Sequence, residues 1–206
     1  MELKEIFLQL VSIYSEDEST AVSLWNEIEK KYNSRKRHYH TLTHLDKLIA
    51  QLEEYRNGIA DWHTLLFSVF YHDIVYNVLK SDNEGKSAML AVKRLSQIRF
   101  PPDKINSCKE QILATKAHTL SNNPDTNLFT DADLSILGQP RGIYEQYCRQ
   151  IRKEYSIYPD IIYKPGRKKV IAHFLNMERI FKTEFFLNKY EKQARENLEW
   201  ETNTQL

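Results

Sequence analysis

The run WHTLLFSVFYHDIVY, from Trp62 to Tyr76, is the most apolar stretch of the chain. Its apolar residues occupy every side of a helical wheel rather than one stripe, which predicts a helix buried at the centre of the fold. Near its end His72 and Asp73 stand side by side. Within that run Leu65, Val69 and His72 share a face, and Asp73 is rotated by about 100° from His72, so the two line adjacent sides of one groove. Burying a carboxylate there costs several kcal/mol unless something binds it, so the pair calls for a partner such as a cation. A lone His-Asp dipeptide arises often by chance. What else the chain brings to that spot decides the reading.

Upstream, Leu45, Leu48, Ile49, Leu52 and Tyr55 form the inward stripe of a helix whose start carries His40 and His44, four residues apart. Two shorter amphipathic helices precede it as an N-terminal cover over about residues 1–33, the second with Thr20 as a candidate N-cap and Val22, Trp25 and Ile28 inward. The basic stretch Asn33 to Arg37 links cover and helix. Downstream, a polar loop at Ser81 to Gly85 leads into a helix that stops at Pro101-Pro102. Pro102-Asp103 opens the next, whose stripe Ile105, Cys108, Ile112 and Thr115 continues towards His118. Ser121 to Asp125 reads as a loop. Thr130 is a candidate N-cap for a short helix from Asp131 that Gly138 ends. A long helix to about Ser156, an irregular Pro159 to Gly166 connection and C-terminal helices over about 166–200 complete an all-α chain without repeat or linker.

At 206 residues and 41% hydrophobic content, the sequence predicts a single domain with one substantial core. The formal net charge of +1 gives no case for nucleic acid or membrane as a partner. With no apolar run near the roughly 20 residues of a membrane span, and no basic-then-apolar start, the expectation is a soluble cytoplasmic protein. Cys108 and Cys148 sit within helical patterns as buried free thiols, and nothing fixes an oligomeric state.

His44, His72, Asp73 and a carboxylate from the Asp131/Asp133 pair together make a mixed nitrogen and oxygen set. Such a set suits a divalent cation, Mn, Fe, Ni, Zn or Mg, and leaves positions for a water that the ion acidifies towards a nucleophile. His40 and His118 are further candidates for ligation or support. Each residue also has a plainer role: inward histidines satisfy core hydrogen bonds, Asp131 and Asp133 suit a helix start, and Lys164, Arg167, Lys168 and Lys169 suit a solvated face.

The order His44, His72-Asp73, Ala132-Asp133-x-x-x-Leu137 resembles the HD-domain metal-dependent phosphohydrolases. The blocks Tyr39 to Leu45, Tyr71 to Tyr76, Asp82-Asn83-Glu84, Ala114 to His118, Asp131 to Gly138 and Gly166-Arg167 are similar to the branch called predicted HD-superfamily hydrolases, over about residues 20–200. The resemblance implies an HD-type helical bundle around a buried metal site held by His44, His72, Asp73 and Asp133, with Asp131 in reserve. The Gly-Tyr-Pro element of cyclic-dinucleotide phosphodiesterases and the Glu-Asp pair of stringent-response hydrolases are missing, so neither activity carries over.

The expected function is hydrolysis of a phosphoester in a nucleotide or other small phosphorylated molecule. Asp73, Glu84 and Lys116 are the candidate catalytic residues, Asp82 shares with Glu84 the candidacy for general acid, and Lys116 and Arg167 would meet the phosphate. The alternative is a catalytically silent module that holds a metal or a nucleotide.

Overall fold

Thr64 through Tyr71 are all buried, as an evenly apolar helix requires. In the computed structural model, which describes residues 2–204, they belong to the fourth of ten α-helices, and no strand occurs among the described residues. In order these are α1 (Leu3–Ser12), α2 (Glu18–Tyr32), α3 (Leu42–Glu53), α4 (Trp62–Tyr71), α5 (Asn83–Gln97), α6 (Pro102–Ala114), α7 (Pro124–Leu134), α8 (Arg141–Glu154), α9 (Asp160–Leu175) and α10 (Glu184–Thr204). Among the described residues no helix is long and apolar enough to cross a membrane.

The chain divides into two compact units, Met1–Thr130 and Asp131–Leu206, the cut falling inside α7. In the first unit α4 packs against α3, α5 and α6. Phe7 of α1 meets Phe70 of α4 edge-on, with ring centroids 5.0 Å apart. Two polar groups at α4 find partners: Ser68 donates to Gln111 Oε1 at 2.7 Å, and Asp61 caps the helix by accepting from the Thr64 amide and hydroxyl, whereas the buried Tyr71 hydroxyl meets no partner among the described residues. Asp125, buried at the start of α7, accepts from the amides of Ala60 and Asp61 at 2.9 and 2.8 Å. The two helices that frame His72 thus begin from one hydrogen-bonded junction.

Three sequence expectations change here. The central helix ends at Tyr71 instead of running to Tyr76, because the next backbone groups find tertiary partners. Tyr32 Oη accepts from the Asp73 amide, Ser87 Oγ bonds both the amide and the carbonyl of Val75, and Arg37 donates to the Ile74 carbonyl. Helix α2 is capped by Asp17, which accepts from the amides of Ser19 and Thr20, and Val22 faces solvent. Helix α7 starts at Pro124, not after Thr130. Asn123 accepts from the amides of Asp125 and Thr126, so Asn123-Pro124 is a cap followed by a first-turn proline. Thr130 is interior, its hydroxyl donating back to the Thr126 carbonyl.

In the second unit α10 packs along α9 and the 3₁₀ turn Ser135–Gly138. Gly138 has no positive φ. Its small size is needed because a Cβ there would lie 2.8 Å from the Tyr190 carbonyl oxygen, so close approach of α10, not a left-handed cap, selects glycine. From Asp160 the Pro159 to Gly166 stretch is helical, with the exposed Pro165 inside α9, where it removes one backbone N–H from the helix ladder. Within this unit Arg167 and Glu201, 10% and 4% exposed, form a bidentate pair at 2.7 and 2.8 Å, and Tyr144 also donates to Glu201.

Burial opposes the charge on Glu201, but the hydrogen bonds and charge of Arg167 outweigh it and hold the carboxyl below its ordinary 4.5. A depressed folded-state value contributes stability that is present above the ordinary value and lost as pH falls through the depressed one. We therefore predict that Glu201→Gln lowers stability at neutral pH by about 3 kcal/mol, since a buried guanidinium is left uncompensated. The deficit should shrink as the wild type is titrated below the glutamate range. Thermal unfolding across pH checks this, and a pH-independent difference would sink it.

Candidate metal centre

His44 lies in the first turn of α3 on the side of Leu45, Leu48, Ile49 and Leu52, all buried, and is 3% exposed. His72 follows the last turn of α4 and is 1% exposed. Its Nδ1 sits 2.9 Å from the Val69 carbonyl. A carbonyl can only accept, so Nδ1 carries the proton and Nε2 keeps its lone pair, the form that binds a metal. The Nε2 atoms of His44 and His72 face each other at 3.2 Å.

Asp73 stands in the turn after the helix, and its Oδ2 is 3.2 Å from the same His72 Nε2. The pair thus lies just past the end of α4, not within it. His40, just before α3, brings Nε2 to 3.8 Å from Asp73 Oδ2 and lays its ring on Tyr76, centroids 4.3 Å apart.

The last member comes from α7, whose Phe129 meets His72 edge-on at 5.7 Å. One helical turn further along the same face is Asp133. Ligand atoms of His44, His72 and Asp133 all lie within 4.8 Å of one another. Two ligands at about 2.1 Å from one ion are separated by about 3.0 Å at octahedral and 3.4 Å at tetrahedral angles. The 3.2 Å separations of His44 Nε2 and of Asp73 Oδ2 from His72 Nε2 fit that range. Two buried histidines and the half-buried Asp133 thus form a group that could hold a metal ion, and its donor set does not by itself select the metal.

The reserve ligand Asp131 is engaged elsewhere. Fully buried, it accepts from the Lys182 ammonium, the amides of Lys182 and Thr183 and the Thr183 hydroxyl, at 2.8 to 3.1 Å. His118 follows the end of α6 in a left-handed conformation, φ 51°, half-buried, off the helical stripe that the sequence extends to it. Lys116 is exposed in the same turn. Glu84 is half-buried in the first turn of α5, and Asp82 is exposed before it. Arg167 spends its donors on Glu201, Tyr144 and Tyr147.

The cysteines are free and buried, and burial pushes both thiols up to about 12, so neither offers a thiolate at neutral pH. A residue that sequence reasoning passed over is Arg37, which donates to the carbonyls of His40 and Ile74 at 3.2 and 3.0 Å and so closes the His40 segment onto the turn after His72. In the sequence it is one of three basic residues in a row of five, and only its spacing of three from His40 hints at its place. Comparison of the chain with family models, with curated proteins and with solved structures finds no match.

Proposed function

We propose that this chain is an HD-type, metal-dependent phosphohydrolase that cleaves a phosphoester in a nucleotide or other small phosphorylated molecule. The observation that carries the reading is the pair of Nε2 atoms on His44 and His72 facing at 3.2 Å, with the carboxylates of Asp73 and Asp133 beside them. Their order along the chain is that of the HD signature. Bound there, a divalent ion would supply a water acidified for attack on phosphorus and positive charge for the phosphoryl oxygens.

The chain's own groups prepare that chemistry. Val69 holds the His72 proton at Nδ1 and so turns the Nε2 lone pair towards His44. Tyr32 Oη fixes the backbone of Asp73, and Arg37 clamps the strands of chain that carry His40 and Ile74. His40, half-buried, borders the open side next to Asp73.

The test is elemental analysis of the purified protein, then assay of a panel of phosphomonoesters with Mn, Fe, Ni, Zn and Mg. About one ion per chain and hydrolysis abolished by a chelator are expected. No bound ion and no thermal shift with any of the cations would refute the reading. A bound ion without turnover on the panel would favour the silent, metal-holding module, a reading supported by the commitment of Arg167 to Glu201.

A further inference from the structure

Beside the His72-Asp73 turn the first unit carries a cleft of about 680 Å³, walled by the end of α2 and by Ile74, Val75 and Tyr76. That volume falls within the range of small-molecule sites. Three cations line it: Lys30, Lys31 and Arg37. Arg37 is 7% exposed, and its guanidinium lies over the rings of Tyr32 and Tyr76, 4.6 and 5.4 Å from their centroids. Among the described residues it faces no carboxylate, and its polar partners are two carbonyls. Buried arginines are ordinarily paired with an anion, so a buried guanidinium with only carbonyls and rings about it is a cation awaiting one.

The rest of the lining points the same way. Glu27 also borders the cleft, but both its oxygens are held by Arg94 at 2.7 and 2.9 Å. Lys30 and Lys31 make no ion pair among the described residues. Their place in the last turn of α2 is favoured by the helix dipole, which explains a basic residue there but not a concave wall that continues to a buried arginine. Two carbonyls occupy two of the five N–H donors that a guanidinium offers, and the planar fork suits phosphate oxygens.

We infer that this cleft binds a phosphate group, with Arg37 at its base and Lys30 and Lys31 at its rim. Building on the phosphohydrolase reading, it holds a second phosphate of the substrate, remote from the one cleaved, so that the preferred substrate carries two phosphates. The wall residues Ile74 to Tyr76 follow directly on His72-Asp73, and four residues of chain span at most about 14 Å. A small bisphosphorylated molecule reaches across that distance.

The probe is inorganic pyrophosphate, titrated calorimetrically into the full chain after dialysis against a chelator. The wild type is expected to bind, Lys30→Ala/Lys31→Ala to bind at least about ten-fold more weakly, because removing one charge-assisted hydrogen bond costs roughly that factor, and Lys168→Ala, an exposed lysine of α9 away from the cleft lining, to bind like the wild type. Absence of binding to the wild type, equal affinity in the Lys30→Ala/Lys31→Ala variant, or an affinity weakened as much in Lys168→Ala would each overturn the inference. The lysines are exposed, so their replacement leaves the fold intact. No hydrolysis is read in this experiment. A protein that binds pyrophosphate through the lysines yet cleaves nothing keeps the subsite and loses the phosphohydrolase reading.

Discussion

Asp133→Ala is expected to weaken divalent-ion binding by more than about 100-fold and to abolish any phosphoester hydrolysis. Loss of a group that merely supports a ligand costs roughly 10- to 100-fold in metal affinity, and loss of a ligand costs more. The expectation rests on the geometry of α7: Phe129 touches His72, and Asp133 stands one turn further on the same face, within 4.8 Å of both imidazoles. His72→Ala should behave alike. In the wild type, an ion at 100 times its dissociation constant adds about 2.7 kcal/mol of stability, so melting temperature should rise with added Mn or Ni, and in Asp133→Ala it should not. Lys168→Ala, on the exposed side of α9, serves as the control and should respond as the wild type does. The rival account is a plain imidazole pair, His44 donating Nε2–H to the lone pair of His72. Under that account a chelator changes nothing in either protein, and an Asp133→Ala variant that binds ion as tightly as the wild type would sink the metal reading.

Features governed by local periodicity were legible in the residues. The evenly apolar run gave a buried α4, Pro102-Asp103 gave the start of α6, and the buried set Ile105, Cys108, Ile112 and Thr115 is the stripe that spacing predicts. The inward place of His44 follows from the same argument applied to Leu45, Leu48, Ile49 and Leu52. What periodicity could not reach was decided by partners distant in sequence. The end of α4 depends on Tyr32, Arg37 and Ser87, the nearest of them more than ten residues away. The start of α7 was written in Asn123-Pro124, a cap and first-turn proline that also read well as a turn. The choice between Asp131 and Asp133 was open because both suit a helix start. Residues two apart point about 200° away from each other around a helix, so only one can share the face of Phe129. Recognising Phe129 as the neighbour of His72 would have made the choice.

Asp131→Ala should show the converse of Asp133→Ala, a loss of stability of about 3 to 5 kcal/mol with ion binding retained, because removing one member of a buried pair strands the other. Asp131 is fully buried and the Lys182 side chain is 5% exposed, with the ammonium 3.1 Å from the carboxylate. The same carboxylate receives the amides of Lys182 and Thr183, the two residues that lead into α10. Alanine would therefore leave a buried ammonium without its counter-charge and two amides and a hydroxyl without their acceptor, each a separate cost. Asp131→Asn keeps an acceptor oxygen for the amides but not the charge facing Lys182, so it should fall between wild type and alanine. Urea unfolding of the three proteins gives the ordering, and calorimetric titration with Mn below the unfolding transition gives the ion affinity. Should Asp131→Ala lose the ion while its stability stays unchanged, the assignments of Asp131 and Asp133 would have to be exchanged. The loss of stability with affinity intact would assign Asp131 to holding the start of α10 and leave Asp133 as the carboxylate of the centre.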